Sequence, residues 1–223
     1  MRSDFPAFTR AHFCVYLCCV AVFLIFSLAI ASSARAETNP ADFVRTLAQE
    51  ATEVVADEGL SRSERRTAMA RMLEDYFDLD LIGRVVLGQH WRKASTEEQR
   101  DYRDVFKAYL LATYGRRFET YAGETLTVGR VVDDGADGVS VSSRLNRPQA
   151  AAITVAWRLR RDGETWRVVD LIVEGVSMVM THRSEFDAVV RQGGGRIAAL
   201  LDKLRAMVAR LDAPDALQAS QQG

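Results

Sequence analysis

Side chains able to act as bases, nucleophiles or metal ligands are sparse in this chain. Beyond residue 36 the histidines are His90 and His182, far apart and each isolated. A lone imidazole is more often a structural group than a base or a ligand. The sequence contains no G-x-S-x-G elbow, no H-E-x-x-H and no G-x-x-x-x-G-K-[ST] loop. Ser177 precedes His182 closely enough that a Ser/His pair, and with it an extracytoplasmic hydrolase, stays open as an alternative. Gly193-Gly194-Gly195-Arg196 could cradle a phosphate at a helix start, but no strand precedes it, so a flexible helix–helix joint is the reading. Asp78 and Asp80 flank Leu79 without further carboxylates at loop spacing, which suits helix capping rather than a metal. The expectation is no catalytic residue, no metal site and no cofactor.

The N-terminus says where such a chain works. Arg2 and Arg10 precede an apolar run from Ala11 to about Ile30, and Ala34-Arg35-Ala36 follows. Basic region, apolar stretch and A-x-A site make a secretory signal over residues 1–36. An uncleaved inner-membrane anchor is the alternative, since the run is long. Cys14, Cys18 and Cys19 all lie in the signal, so cleavage leaves no thiol and no disulfide. Cleavage also removes three Arg and one Asp, taking the net charge from −1 to −3. That balance excludes a nucleic-acid binder.

Periodicity then orders the remainder. Asn39-Pro40 caps a first helix with Phe43, Leu47, Ala51 and Val54 at helical spacing. Ser61-x-x-Glu64 opens a second, and Leu79–Leu87 forms a third that stops at Gly88. Ser95-Thr96-Glu97-Glu98 opens the longest, running to about Tyr121. The period changes to alternation over Thr125–Val132, Val139–Leu145, Ala151–Arg161 and Thr165–Glu174, joined by turns at Asp133-Asp134-Gly135 and Asp162-Gly163-Glu164. Helices over Arg183–Arg191 and Gly195–Leu211 follow, and residues 212–223 read as a disordered tail. Helices, then strands, then helices imply an α+β domain over residues 37–211: a four-stranded antiparallel curved sheet packed against helices, with two helices after it. A curved sheet facing helices is a natural place for an apolar cavity.

The segment from Trp166 through Val168, Asp170 and Glu174-Gly175-Val176-Ser177, followed by Arg183 and Phe186, carries the pattern W-x-V-x-D … E-G-V-S … R-x-x-F. Upstream stand Phe77-Asp78, Leu87-Gly88 with Trp91, and Thr96-Glu97-Glu98-Gln99. Together, over about residues 43–207, these resemble the MlaC, or toluene-tolerance, family. The resemblance implies a periplasmic, monomeric lipid carrier that shuttles a phospholipid between an inner-membrane ABC transporter complex and an outer-membrane lipoprotein complex. A related branch is associated with hopanoid lipids. Such a carrier needs a dry cavity and no reaction.

Alternation assigns the walls of that cavity. Val139, Val141 and Leu145 share a face, as do Val155, Trp157 and Leu159. On the last long strand Val169, Leu171 and Val173 share one face, and Trp166, Val168, Asp170 and Ile172 the other. The Val169 face is assigned to lipid, because Asp170 would be costly against acyl chains. The candidate sheet wall is therefore Val141, Val155, Trp157, Val169, Leu171 and Val173. Phe77, Leu81, Val85, Leu87, Tyr102, Phe106 and Leu110 make the candidate helical wall. Glu174 and Arg183 flank the Gly175 turn and are candidates for pairing. A protein-binding adaptor with a filled core is the other alternative.

Overall fold

The computed structural model describes residues 39–118, 123–135 and 138–212. The signal at 1–36, the far end of the longest helix and the tail from 213 lie outside the described residues. Among the described residues five helices lead: α1 (Pro40–Ala56), α2 (Arg62–Tyr76), α3 (Leu79–Leu87), α4 (Gln89–Lys93) and α5 (Thr96–Phe118). Strands β1 (Thr125–Gly135), β2 (Gly138–Arg147), β3 (Ala150–Asp162), β4 (Thr165–Val173) and β5 (Val176–Ser177) follow in one antiparallel meander. Helices α6 (Met178–Gln192) and α7 (Ile197–Asp212) complete the chain order. No helix among the described residues is long and apolar enough to cross a membrane.

Local chemistry accounts for most helix starts. Asn39 accepts from the Ala41 amide at 2.9 Å with Pro40 in the first turn. Ser61 and Glu64 close a reciprocal capping box, as do Ser95 and Glu98. Asp78 caps α3 by accepting from the Leu81 amide at 2.9 Å, so the Asp78/Asp80 pair serves the helix as its spacing suggested.

Three expectations need correcting, and one element is an addition. The sheet has five strands rather than four, the fifth a two-residue ribbon opposite Ile172 and Val173. Helix α3 spans Leu79–Leu87 and ends at Gly88 (φ 58) as expected, but a further helix, α4, follows at once and was not foreseen. Helix α6 starts at Met178, not Arg183, because Ser177 caps it and Asp170 reaches its first turn. Strict alternation also fails on β4. Trp157 pairs with Leu171 and Leu159 pairs with Val168, so Val169 is an inserted residue. That bulge brings Trp166 and Val168 onto the same face as Leu171 and Val173, away from Asp170.

Two buried cores result. The sheet core packs Ala41, Phe43, Val44 and Leu47 of α1 on Val141, Leu159, Trp166 and Val168. Val44, Val141 and Val168 are fully buried, each worth about 1.5–2 kcal/mol against water. The helical core assembles α3, α5, α6 and α7 around Tyr102, Phe106, Phe186, Leu200 and Leu204. Gly83 lets α3 approach α5 closely, with Phe106 and Tyr102 against its backbone. Gly193–Gly195 joins the two helices, with Gly194 and Gly195 at positive φ.

Candidate functional site

Among the described residues, Phe77 is the side chain that packs against both cores. It also pairs with Val168 as a short parallel bridge, and the Asp78 amide donates to the Val168 carbonyl at 3.0 Å. The chain between α2 and α3 thereby holds α3 beside β4. Other apolar side chains are not fully covered by either core. Leu81 and Val85 on α3 are half-buried, as are Trp157, Val169, Leu171 and Val173 on the sheet. The Trp157 indole N–H is tied to Ser143 Oγ at 2.9 Å, and its ring packs in part against the sheet core. Ser143 in turn donates to the Val155 carbonyl at 3.0 Å, so both polar groups have partners.

The structure divides the sequence-assigned wall residues into groups. Phe77, Leu81, Val85, Trp157, Val169, Leu171 and Val173 are half-buried. Leu87, Tyr102, Phe106 and Leu110 lie inside the helical core, with at most 9% of their surface exposed. The Tyr102 hydroxyl donates to the Gly83 carbonyl at 3.1 Å, and burial pushes this phenol up from its ordinary value. Val141 belongs to the sheet core, and Val155 is buried beside it on β3.

Sequence reasoning did not single out Asp170 as an organiser. Its carboxylate is buried, accepts the Ser177 hydroxyl at 2.6 Å and accepts the Val179 amide at 3.1 Å. Ser177 Oγ also accepts from the Met180 amide at 3.1 Å. The hydroxyl is thus spent on fastening β4 to α6. His182 does not meet it: its Nε2 shares a 2.8 Å hydrogen bond with the Tyr114 hydroxyl, and Nδ1 lies 3.3 Å from Glu185. The Ser/His pair left open above is therefore not assembled. Glu174 and Arg183 do not pair either. Glu174, at φ 49, accepts from the Thr154 amide, and the Arg183 guanidinium covers Gly88. His90, also buried, hydrogen-bonds Asp187 at 2.8 Å, and this bond with nearby Arg191 holds the Asp187 carboxyl below its ordinary range. On the other side, burial and then the Glu50 carboxylate push the Tyr76 phenol up to about 12. The described residues contain no group of His, Cys, Asp or Glu that could hold a metal ion.

Beside Phe77 a cleft of about 580 Å³ opens to solvent. Phe77, Leu79, Gly83, Trp91 and Phe106 supply its apolar lining, and charged side chains of α2, α3, α5 and the β3–β4 hairpin surround it.

Fold and site together define a small α+β domain with two apolar cores that meet at Phe77 and a charged cleft beside that residue. The chain belongs to the MlaC protein family, whose pattern matches residues 45–206. It is similar to toluene tolerance protein ttg2D of Pseudomonas putida, 25% identical over 144 residues that span 64% of this chain and 67% of that protein. It is also similar to the intermembrane phospholipid transport system binding protein MlaC of Haemophilus influenzae, 21% identical over 195 residues, 83% of this chain and 90% of that one. Among solved structures, the phospholipid-binding protein of Ralstonia solanacearum in complex with a phospholipid shares the fold. It gives a TM-score of 0.70 at 18% identity, covering 79% of this chain and all of that one.

Proposed function

We propose that this protein is a periplasmic carrier that holds a phospholipid by its acyl chains along the seam between the two cores. It passes that lipid between an inner-membrane ABC transport complex and an outer-membrane lipoprotein complex. The observation that carries the reading is a set of half-buried apolar side chains on α3 and on β3–β4 that neither core fully covers, which the proposal joins into one seam. The family relationship and a structural relative solved with a phospholipid support it. Each methylene moved from water into such a seam contributes about 0.8 kcal/mol, so one long acyl chain contributes on the order of 10 kcal/mol. That is enough to compete with a bilayer if the two cores need only part slightly. The groups that could otherwise do chemistry are engaged structurally, Ser177 by Asp170 and His182 by Tyr114.

Native mass spectrometry of the protein recovered from a Gram-negative periplasm tests this. The expected spectrum is one chain with added masses of whole phospholipids, removable by organic extraction and restored from vesicles. Ligand-free protein that takes up nothing from vesicles overturns the proposal.

A further inference from the structure

Nine charged side chains line the cleft beside Phe77, and most of them are already satisfied. Arg103 meets Asp80 at 3.1 Å and lies over the Trp91 ring at 5.0 Å. Lys107 pairs with Glu74, and Arg167 meets Asp162 at 3.2 Å. Asp78 is spent on capping α3. Arg84 and Asp104 are left over. Arg84 donates through Nε to the Asp80 carbonyl at 3.1 Å, and no carboxylate among the described residues pairs with its guanidinium. Asp104 makes no hydrogen bond or ion pair among the described residues. The cation belongs to α3 and the anion to α5, so the cleft offers one unspent charge of each sign above an apolar lining.

We infer that this cleft receives a lipid head group that carries both a phosphate and an ammonium, the phosphate toward Arg84 and the ammonium toward Asp104. The inference rests on the carrier reading and adds a substrate class to it. Phe77 explains the placement: it lines the cleft and also packs against both cores, so chains lying along the seam leave their head group here. A guanidinium suits phosphate as a forked donor. A carboxylate without a partner favours a head group with a cation and disfavours a purely anionic one, such as phosphoglycerol. Both side chains are exposed. The discrimination is therefore that of one solvent-screened ion pair, about threefold.

The test loads full-length processed protein from vesicles of equimolar phosphatidylethanolamine and phosphatidylglycerol with identical acyl chains, and reads the bound lipids by native mass spectrometry. The expected bound ratio favours phosphatidylethanolamine by about threefold. Asp104→Asn returns the ratio to that of the vesicles, and Arg84→Gln lowers loading of both lipids. Circular dichroism melts confirm that both variants fold, as expected at exposed positions. Wild-type protein loaded at the vesicle ratio, or a preference unmoved by Asp104→Asn, overturns this inference alone. Protein that loads no lipid from any vesicle overturns the carrier reading and this inference with it.

Discussion

Removing the Asp170 carboxylate should loosen the joint between β4 and α6 without emptying the lipid seam. This residue is 6% exposed and accepts two hydrogen bonds, from the Ser177 hydroxyl at 2.6 Å and the Val179 amide at 3.1 Å. Asp170→Ala strands both donors, and bonds to a charged acceptor are worth about 1.5–3 kcal/mol each. A total near 3 kcal/mol allows for partial solvation of Ser177, which is only half-buried. For a domain of this size that is a drop in Tm of about 6–12 °C. Asp170→Asn keeps an acceptor for Val179 and lets the Ser177 hydroxyl turn to accept, so its loss is about 1 kcal/mol, or about 2–4 °C. The assay is thermal unfolding followed at 222 nm, paired with lipid loading well below the melt. Folded Asp170→Ala protein should still load lipid, since the bulge at Val169 keeps Asp170 off the Trp157–Leu171 face. A melt within about 2 °C of wild type, or two variants that melt alike, refutes the assignment of both bonds. Loss of lipid from folded Asp170→Ala protein refutes the facing argument.

Three further outcomes follow from particular contacts. The Asp187 carboxyl is held low, first by the His90 hydrogen bond and then by Arg191, so it stabilises the fold above the ordinary carboxylate range and loses that effect as pH falls through its lowered value. Urea midpoints measured below about pH 4 should therefore fall for wild type and stay flatter for Asp187→Asn; parallel profiles contradict this. A methyl at Gly193 would sit 2.3 Å from the Ala199 Cβ, so Gly193→Ala should lower the urea midpoint by the equivalent of about 1–3 kcal/mol, whereas an unchanged midpoint would show the α6–α7 joint to be loose. Leu204→Ala in the helical core should cost about 3 kcal/mol and spare lipid loading, while Leu81→Ala on the seam should cost under about 1 kcal/mol and weaken loading; the reverse ranking would put the seam elsewhere.

What the sequence reveals is what short-range chemistry decides. The capping pairs Ser61/Glu64 and Ser95/Glu98 and the hairpin turns at residues 133–135 and 162–164 are local, and the fold class follows from their order. The start of α6 was not legible, because its organiser Asp170 lies on another strand, nine residues before the amide it binds. The bulge at Val169 is likewise a matter of register: only the opposition of Leu159 to Val168 and of Trp157 to Leu171 reveals an extra residue between them. Helix α4 escaped notice because Gly88 reads as a stop until its φ of 58 is seen to turn the chain into another helix. Least legible was the division of apolar residues between core and seam. Tyr102 and Leu110 are the same kinds of residue as Trp157 and Leu81, and tertiary packing alone decides that the helical core encloses the first pair and leaves the second half-buried.

Photolabelling from inside the lipid tests the central claim most directly. The wild-type protein is loaded with a phospholipid bearing a diazirine near the end of one acyl chain, irradiated, digested and mapped by mass spectrometry. Labels should fall on α3 around Leu81 and Val85 and on the sheet around Trp157, Leu171 and Val173, and should be absent from the α7 residues Leu200 and Leu204 inside the helical core. Labels confined to exposed apolar positions such as Val131 and Val132, with the seam untouched, would contradict the account.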